Sequence, residues 1–498
     1  MIEIALDSLN FYFFKLSKEL EELQTATSPT EGYLYLTKEL SKFNHKIYEN
    51  FIELIKDKES LFKKKGKKYQ LFSKEYKDFE IYVSYISVFK KAITYLKNTT
   101  NIITNPGINI LINYFINKID SNTKFIIYPD FKLYCSYMNF SKLLKEFPPS
   151  LRGHDIVDLP VFFLPSLNKD EIYFTSTITH EIGHYIEEKF DIYGKLKESL
   201  AKNIYENENI KNIILKKFAE EKALDPIANQ DFLFEELKTE IIKVWISRLS
   251  KWIKEIISDI IGLKIVGLPF FFGFIKTFLT IRSDAFGSKD HPPPWLRFNY
   301  LYNEIKKNIL LDITNFTLKW KIKTNEEKEL NFEYLIKNDL NMFKEYFQEV
   351  KSDQQIPKYK TELEIIESID VNSQINPLLN NILDKCNISE YEYENENKEE
   401  IFDLIKLVIN YITPNEIIDI EKKNSKPANI LNILNASWLF YIYLIDIHYE
   451  IFNISKHDFE ETPLIQQKLS NLILKAIELS HIHNYTKEKY NQEKINNN

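Results

Sequence analysis

His180 and His184 stand four residues apart in Thr179-His180-Glu181-Ile182-Gly183-His184. On an α-helix that spacing projects both imidazoles from one face, one turn apart, which is half of a zinc site. Glu181 lies beside them, where a carboxylate can take a proton from a metal-activated water and pass it to a leaving amine. A helix is expected here: Ile178, Ile182, Tyr185 and Ile186 form an apolar flank, and Thr175, Ser176 and Thr177 are available as N-caps.

Hydrolytic zinc sites take three protein ligands and keep one position open, so a third ligand must come from elsewhere in the chain. With only Cys135 and Cys386, far apart in sequence, thiolate ligation and a disulfide framework are both excluded. A third histidine in the metzincin position is excluded too, because Glu187 and Phe190 occupy the places where that pattern needs Gly and His. The best candidate lies downstream, in Trp252-Ile253-Lys254-Glu255-Ile256-Ile257-Ser258-Asp259-Ile260-Ile261. Glu255 and Asp259 fall on one face of a helix otherwise rich in isoleucine, and two carboxylates in such surroundings need a partner for their charge. Glu235, Glu236 and Glu240 stay open as alternative ligands.

His180-Glu181-x-x-His184 followed by Glu255-x-x-x-Asp259 resembles the gluzincin metallopeptidases and their minigluzincin core, in which the third zinc ligand is a glutamate on a later helix. The resemblance covers about residues 156–300. It implies that Glu255 completes the zinc shell and that Asp259 hydrogen-bonds a ligand histidine from behind, fixing its tautomer and orientation. Asp290-His291-Pro292-Pro293-Pro294-Trp295-Leu296-Arg297 looks like the His-Pro segment that follows the glutamate helix in several gluzincin groups. Three prolines make it stiff, Pro294 suits the start of a helix, and His291 or Arg297 is expected to face the oxyanion formed when water attacks a peptide carbonyl.

These residues need elements to hold them. Extended segments are expected at 124–128, 132–138 and 156–164, the only strand-rich part of the chain. Pro160 cannot donate a ladder hydrogen bond, so the last strand is expected at a sheet edge, where it could receive an extended substrate. His154, just before it, reads as a loop residue, His448 and His457 as helix residues without ligand spacing, and His481 and His483 as solvent-facing. Seven of the chain's 10 glycines fall between Arg152 and Ser288, which suggests tight backbone geometry there.

On either side the pattern is helical. Leu40, Phe43, Ile47, Phe51 and Leu54 repeat at three-and-four spacing, as do Phe79, Val83, Ile86, Phe89 and Ile93, and helical periodicity resumes after Tyr300. Polar stretches at 351–360 and 389–400 read as loops, and Asn432 to Trp438 as the start of a core helix. The apolar window Ile261 to Ile281 contains Lys264, Pro269 and Lys276, which are costly in a bilayer, so it reads as two buried helices meeting at Pro269.

The 65 Lys and Arg against 72 Asp and Glu give a net charge of −7 with both signs interspersed, which leaves no electrostatic footprint for nucleic acid. The basic run Lys63 to Lys68 reads as the solvated end of a helical hairpin. The N-terminus carries Asp7 and Glu19 and lacks the basic-then-apolar layout of a signal peptide, so a cytoplasmic location is expected.

The expected protein is therefore α+β and predominantly helical. A helical N-terminal region (1–105) precedes a zincin-like catalytic domain (106–300) with a small sheet, and a helical C-terminal region (301–498) follows. The expected activity is zinc-dependent hydrolysis of a peptide or protein substrate. Two alternatives come from other classes: an idle scaffold that binds a protein partner through its helical flanks, and a membrane-associated protease using Ile261 to Ile281.

Overall fold

The computed structural model describes residues 2–25, 31–65, 72–101, 105–130, 135–145, 158–165, 171–172, 177–221, 235–280, 287–321, 327–353, 359–369, 371–386, 388, 390–419, 424–452 and 461–496. His154, Ile156, Val157, Thr175, Ser176, His457 and the end of the basic run at 66–68 lie outside them. The fold is predominantly helical with small sheets, as expected of this α+β sequence. It divides into two compact units that cut across the three expected segments: residues 1–105 with 121–169, and residues 106–120 with 170–498. The segment 106–300 contributes to both, because its strands share a core with the N-terminal helices.

In the first unit, α1 (Ile2–Thr25), α2 (Glu31–Lys65) and α3 (Phe72–Asn101) accompany β1 (Ile126–Asp130), β2 (Ser136–Asn139) and β3 (Pro160–Pro165). Leu40, Phe43, Ile47 and Phe51 of α2 are buried in one cluster with Phe13 and Leu20 of α1 and with Val161 and Phe163 of β3. On α3 the seam runs through Tyr82, Tyr85, Ile86, Phe89 and Ile93. Val83 is 55% exposed and does not belong to it, since a shift of one residue turns a side chain by about 100° on a helix.

The strand order is β1-β3-β2, with β1 parallel and β2 antiparallel to β3. This corrects the edge position expected of the Pro160 strand: β3 is central and buried at every position. Pro160 is tolerated because it is the first residue of the strand, where a missing N–H costs the ladder least. Strands are also not confined to this region. Two antiparallel hairpins, β4 (Thr317–Lys321) with β5 (Glu327–Asn331) and β6 (Glu416–Asp419) with β7 (Asn424–Pro427), interrupt the C-terminal helices.

The second unit contains α4 (Pro106–Ile119), and its site is carried by α6 (Ile178–Phe190), α10 (Ser250–Val266) and α12 (Pro294–Glu304). The short α5 (Phe140–Lys145) belongs to the first unit, while α7 (Ile192–Glu206), α8 (Glu208–Glu221), α9 (Glu235–Arg248) and α11 (Leu268–Thr280) connect the site helices. The rest is helical: α13 (Phe332–Asp353), α14 (Lys360–Ser368), α15 (Val371–Lys385), α16 (Asn395–Ile409), α17 (Ile430–Tyr443), α18 (Ile445–Ile451) and α19 (Glu461–Asn496). Part of the polar stretch 389–400, from Asn395 on, is thus the start of α16 rather than loop. Asn429 caps α17, its side chain accepting from the Leu431 N–H at 2.9 Å.

The described part of the apolar window, 261–280, forms the end of α10 and all of α11, as two largely buried helices. The break falls at Gly267, whose φ of 73° is left-handed, and Pro269 sits in the first turn of α11. Tyr393 Oη accepts from Leu268 N–H at 2.9 Å, and Asn435 Nδ2 donates to Val266 O at 3.1 Å, so backbone groups freed by the break are satisfied. Lys264, almost fully buried, pairs with Glu390 at 2.8 Å, and Lys276 pairs with Glu171. Among the described residues no single helix is long and apolar enough to cross a membrane. The pair α17 and α18 meets that test only jointly and is bent by 65°.

Candidate metal centre

α6 and α10 cross in close contact. Gly183 makes this possible: a Cβ there would stand 2.6 Å from Ser258 O and 2.8 Å from Ser258 Cα, closer than atoms can approach. Thr177 stands at the N-cap of α6 without a side-chain cap bond, and the left-handed Asp191 (φ 47°) ends the helix.

At this crossing His180 Nε2 lies 3.2 Å from Glu255 Oε2, and His184 Nε2 lies 3.1 Å from Glu255 Oε1. One ligand atom from each of the three residues falls within 4.8 Å of the others, an arrangement able to hold a metal ion. The two imidazoles approach different oxygens of Glu255, so its carboxylate spans the gap between them. Glu255 Oε2 is buried and makes no well-formed hydrogen bond, although His180 Nε2 and Arg297 Nη1 (3.3 Å) lie near it. A buried carboxylate oxygen with charges around it and no aligned donor fits a cation. Glu240 is exposed and pairs with Lys243 at 2.8 Å, outside the cluster; the Glu235 and Glu236 side chains lie outside the described residues.

The far side of each imidazole is also held. His180 Nδ1 is 2.9 Å from Asp259 Oδ1, and His184 Nδ1 is 2.9 Å from Ser258 Oγ. With both Nδ1 atoms engaged, both Nε2 atoms face Glu255. Behind Asp259, Arg297 donates from Nε to Oδ2 at 2.7 Å and from Nη2 to Oδ1 at 2.6 Å, while its guanidinium lies 5.3 Å from the centre of the Phe274 ring. The Arg297 fork is therefore turned toward Asp259.

His291 is half exposed, with Nε2 3.7 Å from Glu255 Oε1. Its turn is built by Ser288, whose Oγ accepts from the Asp290 and His291 N–H groups at 3.2 and 3.0 Å, and it is tied to α10 where Trp252 Nε1 donates to Ser288 O at 2.9 Å. Pro294 occupies the first turn of α12, as the proline run predicts.

The electrostatics follow from burial against neighbouring charge. Burial opposes the charged form of His180, but the carboxylates of Asp259 and Glu255 outweigh it and raise the imidazole to about 10. Burial would raise Glu255, yet the adjacent His184 and His180 hold it well below the usual carboxylate range. Asp259 is likewise held down, chiefly by Arg297, against its burial. Arg297 is in turn raised despite burial by Asp259, Glu255 and the nearby Glu181. Protons and a divalent cation therefore compete for one set of atoms.

Sequence reasoning brings His180, Glu181, His184, Glu255, Asp259, His291 and Arg297 to the correct helices and turn. It passes over Ser258, and it takes Gly183 only as one of the clustered glycines that suggest tight backbone geometry. Gly183 carried a signal, a helix-breaking residue inside a metal motif in a glycine-poor chain, whereas Ser258 carried none beyond its place next to Asp259. No family model matches this chain, and comparison with curated proteins and with solved structures finds no match.

Proposed function

We propose that this protein is a zinc-dependent metallopeptidase of the gluzincin type. The observation that carries the reading is the convergence of His180, His184 and Glu255 on one point while Asp259 and Ser258 hold the two imidazoles from behind. Two imidazoles and one carboxylate are the donor set of hydrolytic zinc sites with an open position. Zinc in such a site lowers the pKa of a coordinated water and polarises the scissile carbonyl.

The chain's own residues supply the remaining work. Glu181, largely buried beside His180, takes a proton from the attacking water as its oxygen bonds to the carbonyl carbon. It returns that proton to the amide nitrogen as the C–N bond breaks, leaving a carboxylic acid and an amine. His291, half exposed at the mouth of the cluster, faces the oxyanion as a donor. Arg297 acts through Asp259: its fork fixes the carboxylate that fixes His180, and its charge offsets two buried acids. The substrate class is a peptide or protein.

Metal analysis of the purified protein beside Glu255→Ala and Glu181→Gln, with hydrolysis of a mixed peptide library, tests this. Expected are near-stoichiometric zinc in the wild type, weakened zinc in Glu255→Ala, and retained zinc without hydrolysis in Glu181→Gln. Full occupancy after removal of Glu255 would refute the ligand assignment. Equal behaviour of Glu181→Gln and wild type would leave a scaffold that binds partners.

A further inference from the structure

One turn of α10 carries three groups of the centre: Glu255, then Ser258 and Asp259 three and four residues later. Asp259 meets His180 Nδ1, and Ser258 Oγ meets His184 Nδ1, both at 2.9 Å. We propose that Ser258 is a positioning residue for the metal centre, its hydroxyl accepting the His184 Nδ1 proton and so directing the Nε2 lone pair at the point shared with His180 and Glu255. The proposal rests on the metal-site reading above and deepens it.

Three observations support this role. Ser258 is fully buried, so its hydroxyl is not spent on bulk water. His184 is the more exposed of the two imidazoles, at 21% against 13% for the side chain, and so has the greater need of a fixed partner. Gly183, next to His184, is the residue whose missing Cβ lets α6 approach Ser258. The partner on this side is also neutral. Glu255, Asp259 and Glu181 already place three carboxylates here against the one guanidinium of Arg297, and a further acid would need a further cation. A hydroxyl fixes the ring without adding charge, and a side-chain partner of this kind contributes ~10- to 100-fold to metal affinity.

The test compares Ser258→Ala with the wild type in the full-length protein. Zinc affinity is measured by competition with a chromogenic chelator, and folding by urea denaturation of the chelator-treated protein. We expect zinc affinity lower by ~10- to 100-fold, on top of any loss of metal-free stability from the unpaired His184 Nδ1. A purely structural serine would instead lower stability and leave affinity intact, which overturns the proposal. A second readout is the ¹⁵N spectrum of histidine-labelled wild type with zinc, where His184 should carry its proton on Nδ1. A proton on His184 Nε2 overturns the proposal even if Ser258→Ala does not fold. Wild type that binds no zinc removes the metal-site reading itself, whereas zinc-loaded wild type with an equally tight Ser258→Ala removes only this inference.

Discussion

Gly183 and Ser258 meet backbone to backbone: a methyl group on Gly183 would lie 2.6 Å from the Ser258 carbonyl oxygen. The metal motif and the glutamate helix thus depend on a residue that contributes no ligand. The distance between α6 and α10 sets how far Glu255 stands from His180 and His184.

Gly183→Ala is expected to force the two helices apart. The clash is with backbone, which cannot rotate away, so overpacking should destabilise the second unit by about 1–3 kcal/mol. Zinc binding should weaken at the same time. Urea titration and chelator competition on the same sample measure both, and wild-type values in both would mean that the crossing relaxes without cost.

Removing Arg297 should cost more than removing a surface charge. Arg297→Ala leaves Asp259 and Glu255 buried without their cation, a loss of about 3–5 kcal/mol for a broken buried pair. Arg297→Lys should recover only part of it, because an ammonium cannot make the two parallel bonds to Asp259. Equal stability of the lysine variant and wild type, read by urea denaturation, would argue that charge alone matters.

His448 makes stability depend on pH. It is fully buried on α18, Nε2 lies 2.9 Å from Val408 O, Nδ1 has no partner among the described residues, and burial lowers its pKa below 6.5. The unfolded chain therefore binds this proton more readily than the folded one. The stability is fully present above pH 6.5 and is lost as pH falls through the folded value. Thermal melts between pH 7.5 and 5 should show a steeper decline for wild type than for His448→Gln; parallel curves would count against it.

Tyr393→Phe tests the break between α10 and α11. The hydroxyl accepts from Leu268 N–H and donates to Asn435 Oδ1 at 2.5 Å, both buried. Its loss should cost about 1–3 kcal/mol, since two polar groups are left unsatisfied away from water. A neutral result in denaturation would show that the break at Gly267 needs no support from the C-terminal region.

The amino-acid sequence alone determined the helical character, the two-histidine face of α6, the acid pair of α10 and the helix start at Pro294. Each is a local property, set by spacing on one helix or by the fixed φ of proline. It also separated the window 261–281 into two helices, through Pro269 and the lysines, and only the position of the break moved, to Gly267. The central place of β3 was not legible, because a proline at the first position of a strand is compatible with both an edge and a centre, and pairing with β1 and β2 decides between them. The hairpins β4–β5 and β6–β7 were hidden for a similar reason: each strand of 4 or 5 residues is stabilised by its partner rather than by its own pattern. The partners of Arg297 and Ser258 depended wholly on tertiary structure. A guanidinium near a metal motif can face substrate or a buried acid, and a serine on an apolar helix can face anything. Which group each one meets is a distance between residues far apart in the chain, and distances of that kind arise only when the helices pack.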